Sequence, residues 1–70
     1  MQHSDFDVFC NAVLLNGGEF VHHDFSRDFK LPCGTCGVVE VPQIEIYETV
    51  EVHFETEPSK EVLKALRFPT

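Results

Sequence analysis

The stretch Val38-Val39-Glu40-Val41-Pro42-Gln43-Ile44-Glu45-Ile46-Tyr47-Glu48-Thr49-Val50-Glu51-Val52-His53-Phe54-Glu55 decides the fold. Apolar Val39, Val41, Ile44, Ile46, Val50, Val52 and Phe54 alternate with Glu40, Glu45, Glu51 and Glu55. Alternation at period two marks strands with one buried and one wet face. The phase slips at Pro42-Gln43 and again at Tyr47–Thr49. A strand cannot change phase without a turn or bulge. The reading therefore expects strands near 38–41, 43–47 and 50–56, with the Pro42 break at an edge or bulge because proline lacks an N–H.

Upstream, the period changes. Phe6, Phe9, Cys10, Val13 and Leu14 fall at i, i+3, i+4, i+7 and i+8, which builds one apolar face of a helix over 5–15. Ser4 or Asp5 can cap its start. Asn16-Gly17-Gly18 stops it. Glu19–His23 suits a short strand, and Asp24–Lys30 reads as irregular. Downstream, Pro58 and Ser59 open a second helix, with Val62, Leu63, Leu66 and Phe68 facing the sheet. The sum is one domain over 1–70, of α+β class. It has an N-terminal helix, a three- to four-stranded mainly antiparallel sheet and a short C-terminal helix, with both helices on one sheet face.

Charge narrows the function. The 70 residues hold 5 Lys+Arg against 12 Asp+Glu, a formal net charge of −7. Direct binding of nucleic acid needs clustered cations to displace counterions, and an anionic membrane surface needs the same; neither suits this chain. With 43% hydrophobic residues and 7 Phe, it is too apolar for a disordered acidic tail. No run reaches the ~20 apolar residues of a membrane span. Residues Met1–Asp5 show neither the basic region nor the apolar stretch of a signal peptide. The odd count of 3 Cys does not suit a secreted disulfide framework. The expected setting is the reducing cytoplasm.

Cys33-Gly34-Thr35-Cys36-Gly37, running into Val38–Val41, resembles a zinc knuckle, a tight turn that feeds a hairpin strand. Two thiolates at this spacing can hold one Zn(2+). Such a site needs four ligands, and the candidates beside Cys33 and Cys36 are His22, His23, His53 and Cys10. The best set takes Cys33, Cys36, one of His22 and His23, and His53, because neighbouring strand residues point to opposite faces. The competing readings are two reduced thiols in a glycine-rich turn, or a thiol/redox pair of Cys33 and Cys36. The redox reading wants a helix after the first thiol, and here a strand-like run follows. A cysteine–histidine nucleophile lacks an orienting signature, and no phosphate-binding glycine loop occurs. The expectation is a non-enzymatic protein.

Between Val38 and Pro58 stand six Glu, at 40, 45, 48, 51, 55 and 57, and no Lys or Arg. All three basic residues of the second half, Lys60, Lys64 and Arg67, belong to the final helix. A face built only for stability would interleave cations, since like charges across strands repel. Solubility and protection of sheet edges offer one explanation. A surface for a basic partner offers the other. In size, charge and lack of a catalytic motif the chain resembles the broad class of small phage-encoded inhibitors of host nucleases, defence complexes and polymerases. That likeness implies an acidic mimic of nucleic acid that occludes a basic binding site. Glu40, Glu45, Glu48, Glu51, Glu55 and Glu57 would carry the charge, and Phe20, Phe25 and Phe29 are the candidate hot spots. A free sheet edge could also pair with a second copy to give a homodimer.

Overall fold

A computed structural model of the chain describes residues 1–43 and 49–69. Its elements are β1 (Gln2–His3), α1 (Phe6–Leu15), β2 (Glu19–His22), β3 (Ser26–Lys30), β4 (Cys36–Glu40), β5 (Val50–Phe54) and α2 (Lys60–Ala65). The strands form one antiparallel sheet in the order β1-β5-β4-β3-β2. The α+β architecture with a helix near each end matches the reading of the sequence.

Local chemistry explains both helices. The Asp5 side chain accepts the Val8 N–H at 3.1 Å and caps α1, and Asp7 in the first turn suits the positive end of the helix dipole. Ser59 caps α2 in the same way, accepting the Val62 N–H at 3.2 Å. The two C-termini repeat one hydrogen-bond pattern. At α1, Gly18 N–H donates to Val13 O and Gly17 N–H to Leu14 O; at α2, Phe68 N–H donates to Leu63 O and Arg67 N–H to Lys64 O. The pattern needs a left-handed residue after the cap. Gly17 takes it at φ 80°, and Arg67 takes it at φ 66° with a side chain in place.

Both helices pack on one face of the sheet. The core there comprises Phe9, Cys10, Ala12 and Val13 from α1, Phe29, Leu31, Val39, Val50 and Val52 from the sheet side, and Leu66 and Phe68 from the C-terminal segment. Edge-to-face rings knit it together: Phe9 to Phe29 at 5.3 Å, Phe29 to Phe54 at 5.6 Å, and His3 to Phe68 at 4.8 Å between centroids. Gly37 makes one of these contacts possible. It pairs with Phe29 on one side and Phe54 on the other, and a Cβ there would fall onto the His53 carbonyl oxygen and 2.9 Å from Phe29 Cζ. The two rings meet over the missing side chain.

His3 is the polar member of the core, 1% exposed. The Asp5 N–H donates to its Nδ1 at 3.1 Å, so the ring proton sits on Nε2 and is donated to the Leu66 carbonyl at 2.8 Å. One neutral imidazole thus ties β1, the start of α1 and the end of α2 together. Asn16 adds a second tie, donating from Nδ2 to Ala12 O and to Ala65 O.

Three expectations need correction. Asp24–Lys30 is not irregular: Ser26–Lys30 is β3, paired on both sides. Arg27 hid it, since its charge occupies an inward position that an amphipathic strand normally gives to an apolar side chain. The guanidinium lies over the Phe6 ring at 5.0 Å and the Phe20 ring at 5.9 Å, which offsets its partial burial. The strand read at 38–41 starts two residues earlier, at Cys36, and the one read at 50–56 ends at Phe54. The two-residue β1 went unread because it is too short for any period. The strand expected at 43–47 falls almost wholly outside the described residues.

Candidate functional site

The same alternation that sends Phe29, Val39, Val50 and Val52 into the core sends their neighbours to the opposite face. Glu19 and Val21 of β2, Asp28 and Lys30 of β3, Cys36, Val38 and Glu40 of β4, and Glu51 and His53 of β5 all point there. Neither α1 nor α2 covers this face. Glu55 extends it beyond β5, its N–H donating to Cys36 O at 3.0 Å. Among the described residues the open face therefore carries Glu19, Asp28, Glu40, Glu51 and Glu55 against the single ammonium of Lys30.

Most of these carboxylates hold only light local contacts. His53 Nε2–H donates to Glu40 at 3.0 Å, and His23 Nε2–H donates to Asp28 at 3.0 Å. Glu51 lies 3.7 Å from the terminal ammonium of Met1. All are solvent-exposed pairs, worth at most about 1 kcal/mol each and often nothing. Glu55 accepts the Cys36 S–H at 2.8 Å, and this bond pushes the Cys36 thiol above its ordinary range. A shallow hollow occupies one end of the face. Val21, Gly37 and Val38 contribute apolar floor, and Glu19, Asp28, Lys30 and Glu55 stand around it.

The expected partner-binding residues separate as follows. Glu40, Glu51 and Glu55 share the open face; Glu57 is exposed beyond it, in the loop before α2. Glu45 and Glu48 lie outside the described residues. Phe25 stands 67% exposed at the β2–β3 turn. Phe20 is half-buried, packed on the core and under Arg27. Phe29 is 2% exposed in the core, so it cannot be a hot spot; its place in an unread strand explains the error. Glu19 and Asp28 were missed for the same reason, and the 26/28/30 alternation was the signal that would have found them.

The expected metal ligands do not converge. Among the described residues no group of three or more His, Cys, Asp or Glu side chains is placed to hold an ion. Cys36 faces the open sheet and bonds Glu55. Cys33 lines a different hollow, with Asn16, Val62 and Ala65 on the helix side, and its Sγ lies 3.4 Å from the Thr35 hydroxyl. His53 and His23 are engaged by carboxylates, and His22 pairs across from Arg27 on the helix-covered face. These residues do not fit a four-ligand zinc site.

The thiols differ by environment. Hydrogen bonding to Thr35 holds Cys33 below the usual thiol range. Burial pushes Cys10 up, although Arg27 opposes the shift from 3.7 Å. Among the described residues no thiol hydrogen-bonds to a histidine ring, which is the contact a cysteine nucleophile would need. No helix among the described residues is long and apolar enough to cross a membrane. Comparison with known proteins finds no matching family model, no similar curated protein and no similar solved structure.

Proposed function

We propose that the chain is a non-enzymatic binding protein whose open sheet face engages a basic protein surface. The observation that carries this reading is the imbalance on that face: five carboxylates and one ammonium on an uncovered sheet. Carboxylates on adjacent strands repel by a few tenths to about 1 kcal/mol per pair. A cationic partner relieves that repulsion. Such complementarity speeds encounter and excludes wrong partners more than it adds affinity.

The surfaces richest in Lys and Arg are those that grip nucleic-acid phosphates. The favoured partner is therefore a nucleic-acid-binding protein or complex, and the favoured effect is occlusion of its binding site, as a phage-type inhibitor would achieve. The chain itself contacts neither nucleic acid nor membrane in this reading. A reducing cytoplasmic setting fits its three free thiols. The test compares wild type with a Glu40→Lys, Glu51→Lys, Glu55→Lys variant, each immobilised and exposed to host lysate at low and physiological salt. Wild type should retain a basic nucleic-acid-binding protein and block its binding to nucleic acid in a purified assay. The folded variant should do neither. Equal retention and equal blocking by the variant would refute the proposal.

A further inference from the structure

The hollow at one end of the open face has a composition that a plain acidic surface lacks. Its floor is apolar, with Val21 58% exposed on β2 and Val38 on β4. Its rim carries Glu19, Asp28 and Glu55 against Lys30. Asp28 already accepts from His23 and Glu55 from Cys36, but each carboxylate has a second oxygen and further lone pairs to offer. Lys30 sits directly opposite Glu19 and Cys36, where it offsets part of the rim charge.

An apolar floor under a carboxylate rim discriminates between cations. A lysine ammonium is compact and strongly hydrated, and loses water at a cost when it approaches apolar surface. An arginine lays its methylene stem on such a surface and keeps a planar, weakly hydrated fork for the carboxylates. Arginine is also the cation most enriched at interface hot spots. We infer that this hollow is the anchor point of the interface and that its occupant is an arginine side chain presented by the basic partner. Here a carboxylate of Asp28 or Glu55 takes the place of a nucleic-acid phosphate, since both accept the guanidinium fork. The inference rests on the partner-binding reading above and adds the identity and position of the anchoring residue.

The test titrates the full chain at low salt with tri-arginine amide and, separately, tri-lysine amide, following the valine methyl signals by NMR. The arginine peptide should shift Val21 and Val38 and leave the buried Val39 and Val52 in place. It should bind at least about fivefold more tightly than the lysine peptide. Glu55→Gln should weaken the arginine peptide more than the lysine peptide, and Lys30→Gln should strengthen both. The unmoved signals of Val39 and Val52 show that each variant is folded. Equal affinity for the two peptides, or shifts confined to the Glu40–Glu51 end, would overturn the arginine anchor and leave the acidic-face reading standing. Failure of either peptide to bind would overturn both.

Discussion

One sheet presents two faces that obey different rules. On the helix-covered face, Phe29, Val39 and Val52 are nearly inaccessible, and even the charge of Arg27 is wrapped by rings. On the open face, one residue further along each strand, Asp28, Glu40 and His53 are exposed and joined only by solvent-screened pairs. Stability resides in the first face, because apolar area removed from water contributes about 25 cal/mol per Å². The second face adds little stability and concentrates repulsion. A feature that costs stability and persists on an uncovered surface is what a binding role would require. The predictions below probe that division.

The largest effect belongs to the covered face. Phe9 is fully buried and touches His3, Phe29 and Phe68 edge-on. Phe9→Ala should cost about 3–5 kcal/mol. A core this small supplies little more than that in net stability, so circular dichroism should show the variant largely unfolded in buffer. His3→Leu keeps the volume but strands the Asp5 N–H and the Leu66 carbonyl. It should cost about 2 kcal/mol by urea unfolding. Arg67→Gly relieves a side chain in the left-handed region and should raise stability by about 0.5 kcal/mol, less than the full conformational gain because a cation near the helix C-terminus is lost.

On the open face, Glu55→Gln should leave the unfolding midpoint unchanged and alter chemistry instead. Losing the carboxylate lowers the Cys36 thiol toward its ordinary range. More thiolate is then present at a given pH, and Cys36 should alkylate faster. In the parent chain Cys33 should react first, because Thr35 favours its thiolate, while buried Cys10 should react last. Mass spectrometry of peptides after timed iodoacetamide treatment reads this order. A stability loss on the open face as large as that of His3→Leu would blur the comparison.

The helices were legible because capping and periodicity agreed: Asp5 before Phe6–Leu15, and Ser59 before Lys60–Ala65. The acidic strands flanking the chain's middle were legible from the alternation of Val and Glu. What sequence concealed were positions where a polar side chain goes inward. Arg27 broke the apolar pattern of β3 and, with it, the assignment of Phe29, Glu19 and Asp28. His3 gave no sign of burial, because its two partners are backbone groups at Asp5 and Leu66 that only tertiary structure brings near. The cysteine pair looked like half a metal site, yet its turn sends Cys33 and Cys36 toward opposite sides of the sheet. The open face could be anticipated in sign but not in membership.

The most direct measurement takes the purified basic partner that wild type retains. Its affinity for wild type and for the Glu40→Lys, Glu51→Lys, Glu55→Lys variant is measured at physiological salt, beside the urea midpoint of each chain. The predicted result is binding lost by at least about tenfold, roughly 1.4 kcal/mol, with the midpoint held or slightly raised as repulsion is removed. Unchanged affinity in a folded variant would contradict the claim that the open sheet face is the binding surface.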